Sequence, residues 1–200
     1  MSQKLGNLYI VSGPSGVGKS TTIKSVLQQM ENIVLSVSCT TRDPRPQEIE
    51  GVHYYYLNED GFQKRVDRDG FLEHAGVHKK RYGTPRDAVM EHLRAGQDVI
   101  LDIDVQGHAQ VMAFNFGDEK PKIYSIFIQP PSIESLRQRI VGRGDTSASD
   151  MEVRLAAAES EMAQAVLYNH VLISENDGLD SLASEAISYI AATRLWDGET

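Results

Sequence analysis

Residues 13–20 read Gly-Pro-Ser-Gly-Val-Gly-Lys-Ser, between the apolar run 8–11 and a segment of helical character over 19–30. This spelling restricts the fold because it works only where a strand turns into a helix. Gly16 and Gly18 permit backbone angles that turn successive N–H groups toward one point, and the following helix adds the positive end of its dipole. A polyphosphate is then neutralised by main chain. On this basis Gly13, Pro14, Ser15, Gly16, Val17, Gly18, Lys19 and Ser20 are expected to hold the phosphates of ATP. Lys19 would bridge the β- and γ-phosphates, and the Ser20 hydroxyl would hold Mg²⁺.

The rest of the chain continues the strand and helix alternation. Short apolar runs at 33–37, 99–103, 123–128 and 171–173 read as buried strands, and 85–95, 132–140 and 151–167 read as helices. For the first of these helices Thr84 suits the N-cap, Pro85 the first helical position and Gly96 the residue past the end. For the last, Ser149 with Glu152 three residues on suits a capping box. The alternation predicts an α/β fold of the P-loop NTPase type: a parallel central sheet in three layers, with helices on both faces. Asp102, near the end of the run 99–103, is placed to order Mg²⁺ through water. Two stretches interrupt the rhythm. Residues 39–83, rich in Tyr, Arg, Glu and Gly with β-like pieces at 54–57 and 71–77, read as a small inserted β-rich subdomain. Residues 137–154, with Gly142 and Gly144 among Arg137, Arg139, Arg143 and Arg154, read as a mobile lid, leaving a core of 1–38, 84–136 and 155–200.

Composition excludes several function classes. With 20 Lys and Arg against 28 Asp and Glu the formal charge is −8, so general attraction to nucleic acid or anionic membrane is not expected. Anionic ligands must be captured by local clusters of arginine and lysine. The single cysteine, Cys39, rules out an intrachain disulfide and fits a reducing compartment, so a cytoplasmic location is expected. No run reaches the roughly 20 apolar residues needed to span a bilayer. His53, His74, His78, His92, His108 and His170 show no metal-ligand spacing and read as structural or surface residues.

A second set of residues narrows the class further. It comprises Ser38-Cys-Thr-Thr-Arg42-Asp-Pro-Arg45-Pro-Gln-Glu48-Ile-Glu-Gly51-Val-His-Tyr54, then Phe71-Leu-Glu73-His, Tyr82-Gly-Thr84-Pro, Asp102-Ile-Asp104-Val-Gln-Gly107 and Arg139-Ile-Val-Gly-Arg143. In this order the motifs resemble guanylate kinase, from the phosphate loop to about residue 171. The resemblance implies transfer of the γ-phosphoryl group from ATP to GMP, with Mg²⁺, and extends to dGMP. It implies an acceptor site built from Ser38, Arg42, Arg45, Glu48, Tyr54, Glu73, Tyr82, Thr84 and Asp104. The chemistry of GMP fits those residue types. Arg42 and Arg45 offer guanidinium forks to its phosphate, and Tyr54 and Tyr82 can donate hydroxyl hydrogen bonds there. Glu73 matches the guanine N1–H and N2 amino donors, and hydroxyls at Ser38 and Thr84 can donate to O6. Glu48 would support the arginines. Arg139, Arg143 and Arg154 fall where the family carries the lid arginines that, with Lys19 and Arg42, stabilise the transferring group.

Two departures from the family pattern stand out. His78-Lys79-Lys80-Arg81 occupies the place of a Gly-Asn-Tyr element, which predicts a more basic approach to the acceptor phosphate. The strand 171–173 is followed by a lengthened turn, in which Asn176 is the expected adenine-side contact. Two other functions stay open on the sequence: a non-catalytic binding module of the same fold, and a related kinase with a different acceptor. The complete phosphate loop speaks against the first, and Glu73 discriminates the second. Oligomeric state is not decided by the sequence.

Overall fold

The computed structural model describes residues 4–77, 80–142, 148–175 and 178–196. In chain order the elements are β1 (Leu8–Ser12), α1 (Lys19–Gln29), β2 (Ile33–Leu35), β3 (Cys39–Thr40), β4 (Tyr55–Tyr56), α2 (Glu59–Val66), β5 (Phe71–Val77), β6 (Lys80–Pro85), α3 (Arg86–Arg94), β7 (Asp98–Asp102), α4 (Val105–Ala113), β8 (Ile123–Gln129), α5 (Ile133–Gly142), α6 (Ala148–Met162), β9 (His170–Ile173) and α7 (Leu179–Trp196). A five-stranded central sheet has the order β2-β7-β1-β8-β9, and its β2–β7 and β8–β9 pairs are parallel. A four-stranded sheet has the order β4-β3-β6-β5. The expected α/β fold with a parallel central sheet is therefore present. Its inner strands are buried along most of their length, which is why they read as unbroken apolar runs.

Chain contacts divide into two compact units. The first comprises Met1–Tyr9 and Asn32–Ile123. Here β2 and β7 pair from Ile33↔Asp98 to Leu35↔Ile100, and the Asp98 carboxylate accepts the buried backbone N–H of Asn7 at 2.7 Å. The four-stranded sheet carries its own core, in which Cys39, Phe62 and Phe71 pack with Leu57 and Val66. The Phe62 and Phe71 rings stack at 4.6 Å. The second unit comprises Ile10–Glu31 and Tyr124–Thr200. Helices α5 and α6 pack together there over Leu136, Ile140, Leu155 and Ala158, and α7 packs against α1.

Several boundaries differ from expectation for identifiable reasons. Residues 39–83 contain α2 as well as strands: Asn58 Oδ1 accepts the Gly61 N–H at 2.7 Å, Glu59 and Asp60 suit the first turn, and Phe62 points into the core. Thr84 does not cap α3. It sits in β6 opposite Glu73, so the helix opens after Pro85 without a side-chain capping bond. Ser132 does cap α5, accepting the Ser135 N–H at 3.1 Å. Helix α6 starts at Ala148, so Ser149 lies inside it and not before it. It ends at Met162, and Ala165–Leu167 forms a separate 3-10 turn. The stretch 137–154 is thus largely helical in its described part. Helices α4 and α7 were not expected at all, although Leu182, Ala183, Ala186 and Ile190 form a buried stripe at helical spacing.

Candidate active site

In the second unit the phosphate loop joins β1 to α1. Gly13, Gly16 and Gly18 have φ of 147°, 89° and 111°, the left-handed region that favours glycine. At Gly13 a side chain is also excluded by space, since a Cβ would lie 2.0 Å from the carbonyl oxygen of Ile128. Gly18 caps α1 without a side chain, so no side-chain oxygen covers the first N–H groups of the helix. Lys19 Nζ donates to the carbonyl oxygens of Gly13 and Pro14 at 2.5 and 3.3 Å, so the ammonium is folded over the loop that precedes it. Ser20 is exposed.

In the first unit a hollow of about 180 Å³ is lined by Ser38, Tyr54, Glu73, Ala75, Tyr82, Asp102, Ile103 and Asp104. Six of the residues expected from the sequence share it. Glu73 is only 7% exposed, and Thr84 Oγ1 donates to its Oε1 at 2.6 Å. Burial pushes the Glu73 carboxyl above the usual carboxylate range, and Asp104 adds to the effect while Thr84 opposes it. Because a hydroxyl has one proton, Thr84 cannot also donate to guanine O6 in this arrangement. That role is left to the Ser38 hydroxyl among the residues expected to perform it. Asp104 caps α4, accepting the Gly107 N–H at 2.8 Å.

The arginine arm is braced in the same unit. Arg42 Nη2 donates to both oxygens of Glu48, at 2.8 and 3.0 Å, and Nη1 to the carbonyl of Asp43 at 2.7 Å. Its guanidinium carbon lies 5.4 Å from the centre of the Tyr54 ring. Glu48 Oε2 also accepts the Arg45 N–H and the Tyr56 hydroxyl, each at 2.8 Å. These donors, the Arg42 side chain first, draw the Glu48 carboxyl down to about 2, and the same bond pushes the Arg42 guanidinium up. Burial, and the Tyr82 phenol after it, push the Tyr54 hydroxyl up. Tyr54 and Tyr82 meet edge to face at 5.9 Å. Tyr56 was missed by the sequence reading. Its signal is period-two spacing from Tyr54 on an extended segment, which sets both rings on one side.

Other expected residues are placed differently. Arg139 donates to the hydroxyl and carbonyl of Ser174, just past β9, and Arg154 is exposed on α6. Arg137 pairs with Glu152 at 2.9 Å and Glu134 at 3.6 Å, as a solvated helix face does. Arg143 and Asn176 lie outside the described residues, as do His78 and Lys79. The basic approach expected from 78–81 is reduced at Arg81, whose guanidinium packs 4.4 Å from the centre of the Phe62 ring and donates to Gln63 at 2.9 Å. Among the described residues no group of three or more His, Cys, Asp or Glu could hold a metal. Ser20, in the second unit, and Asp102, in the first, each carry an oxygen of the hard type that Mg²⁺ accepts. No helix among the described residues is long and apolar enough to cross a membrane.

Comparison with known proteins agrees with this chemistry. The family model described as guanylate kinase matches residues 5–193. A guanylate kinase of Escherichia coli is 43% identical over 192 residues, covering 95% of this chain and 89% of the relative. The guanylate kinase of Syntrophomonas wolfei is 41% identical over 189 residues, covering 94% and 93%. A crystal structure of guanylate kinase from Anaplasma phagocytophilum superposes with a TM-score of 0.73 at 30% identity, covering 96% of this chain and 87% of that one.

Proposed function

The chain belongs to the guanylate kinase family, and we infer that the residues described above divide the work of that reaction between them. The enzyme is an ATP:GMP phosphotransferase, moving the γ-phosphoryl group of ATP to GMP and leaving ADP and GDP. In our assignment Gly13 to Ser20 hold the ATP phosphates, with Lys19 on the β- and γ-groups. Arg42, Arg45, Tyr54 and Tyr82 hold the acceptor phosphate. Glu73, Ser38 and Asp104 take the base, with Thr84 acting through its hydrogen bond to Glu73.

The observation that carries the acceptor assignment is the buried Glu73 carboxylate, held by Thr84 in a hollow that also contains Ser38 and Asp104. An ionised carboxylate accepts only, and guanine turns two adjacent donors toward such a group. Adenine does not. A site built this way rejects the wrong base because its buried polar atoms would be left unpaired. None of the assigned residues reads the 2′-hydroxyl, so dGMP belongs to the same substrate class.

The acceptor phosphate is already ionised, so no general base is assigned. Transfer needs positioning and cations at the equatorial oxygens, which Lys19 and Arg42 supply and which Arg139, Arg143 and Arg154 supply by family resemblance. Residues 137–154 act as the lid in this assignment. Ser20 and, through water, Asp102 would hold Mg²⁺, which would supply neutralising charge to the polyphosphate. The demand for ATP and GMP favours a cytoplasmic location.

A coupled assay with ATP and Mg²⁺ across the common nucleoside monophosphates tests the assignment. Turnover with GMP and dGMP, and at least about 10⁴-fold less kcat/KM with AMP, is expected. Comparable turnover with AMP would remove Glu73 from base recognition.

A further inference from the structure

We propose that Gln110 is a positioning residue for guanine recognition, a role that rests on the assignment of Glu73 as the base-reading carboxylate. Strand β5 closes one edge of the four-stranded sheet, so one side of its backbone has no neighbouring strand. At His74, the residue after Glu73, that need is met by one side chain. Gln110 of α4 accepts the His74 N–H through Oε1 at 3.1 Å and donates from Nε2 to the His74 carbonyl at 3.0 Å. The carboxamide stands in for a neighbouring peptide unit. Its two ends differ in kind, so it fixes the polarity of the contact as well as its place.

The same helix face reaches the carboxylate itself. Gly107, one turn before Gln110, lies so close to Glu73 that a Cβ there would sit 2.9 Å from Oε2. Its N–H is held by Asp104 Oδ1, and Asp104 lines the hollow with Glu73. Helix α4 therefore abuts the base-reading group with its first turn and grips the next backbone unit of β5 with its second. On the other side, Thr84 of β6 fixes Oε1. Without the Gln110 grip, the sheet edge can slide along the helix, and the two Glu73 oxygens lose their register with the guanine donors.

Inosine monophosphate is the probe, because hypoxanthine keeps N1–H and O6 but lacks the N2 amino group. The ratio of kcat/KM for GMP over inosine monophosphate reads the placement of Glu73, and it does not depend on how much enzyme is active. Gln110→Met keeps the length and removes both hydrogen bonds; Gln110→Glu keeps an acceptor for the His74 N–H and sets an anion against the His74 carbonyl. For both, the ratio is expected to fall and the GMP KM to rise by about tenfold, with the ATP KM within about twofold of wild type. A wild-type ratio and GMP KM in both variants, with or without a uniform loss of turnover, overturns the proposal. Glu73→Gln serves as the reference. If it left the ratio unchanged, the assignment of Glu73 would fail, a result separable from any behaviour of the Gln110 variants.

Discussion

Single side chains in this protein are tuned by their burial and by their immediate neighbours. Burial raises the Glu73 carboxyl, and the guanine-reading role proposed for it requires it ionised. The acid limb of kcat/KM for GMP should therefore carry, beside the ionisation of the GMP phosphate, a contribution above the ordinary carboxylate range that is absent from Glu73→Gln, as a pH profile of both proteins will show. Linkage runs the same way: the raised group stabilises the fold below its unfolded pKa, and that contribution is lost as pH rises through its folded value. Glu48 has the opposite sign. Its carboxyl is drawn down to about 2, so the stability it contributes is present above its unfolded pKa and is lost as pH falls toward 2. Tyr56→Phe removes one donor from Glu48 and leaves the ring in place. The GMP KM should rise about threefold with little change in kcat, in keeping with one hydrogen bond at one remove from the ligand. The residues that share the hollow were legible in the sequence, since Ser38, Glu73 and Tyr82 sit in recognisable strings. The commitment of the Thr84 proton to Glu73 was not, because residues 11 apart meet only through the pairing of β5 with β6.

At the scale of elements, the turns and caps decide where functional groups stand. Gly13→Ala would force a Cβ against a backbone oxygen at a φ of 147°, and neither the strand nor the loop can yield cheaply. We expect a lower Tm by thermal melting together with a raised ATP KM. Asn58→Ala should cost about 1 kcal/mol of stability through loss of the α2 cap, measured by denaturant unfolding. Elements with unbroken apolar runs, such as β1 and β8, were legible because parallel strands buried on both faces write their burial into consecutive residues. Helices α2 and α4 were hidden for the converse reason. Helix α2 is short and polar, with Phe62 as its buried residue, whereas α4 is short and has Gly107 among its buried residues; each has a cap residue, Asn58 or Asp104, whose identity also suits a turn.

For the molecule as a whole, a charge of −8 accompanies anionic substrates, so attraction must be local. In the proposed assignment the Arg42–Glu48 pair meets that demand by holding the guanidinium in place. Cys39 offers a probe of cooperative opening. It is buried in the core of the four-stranded sheet, and burial pushes its thiol up to about 11. A thiol reagent should label it rapidly in denaturant and only at the rate of opening in the native protein; prompt labelling of native protein would show that this core is loose.

Sequence alone determined the fold class, the phosphate loop and the residue types proposed for the acceptor site, because each is written in local spacing and in the chemistry of individual side chains. Tertiary structure decided which partner each group spends its hydrogen bonds on: Thr84 on Glu73, Tyr56 on Glu48, Gln110 on the edge of β5. A hydroxyl or amide can serve many partners with similar energy, so its choice is made only by the elements that bring distant residues together.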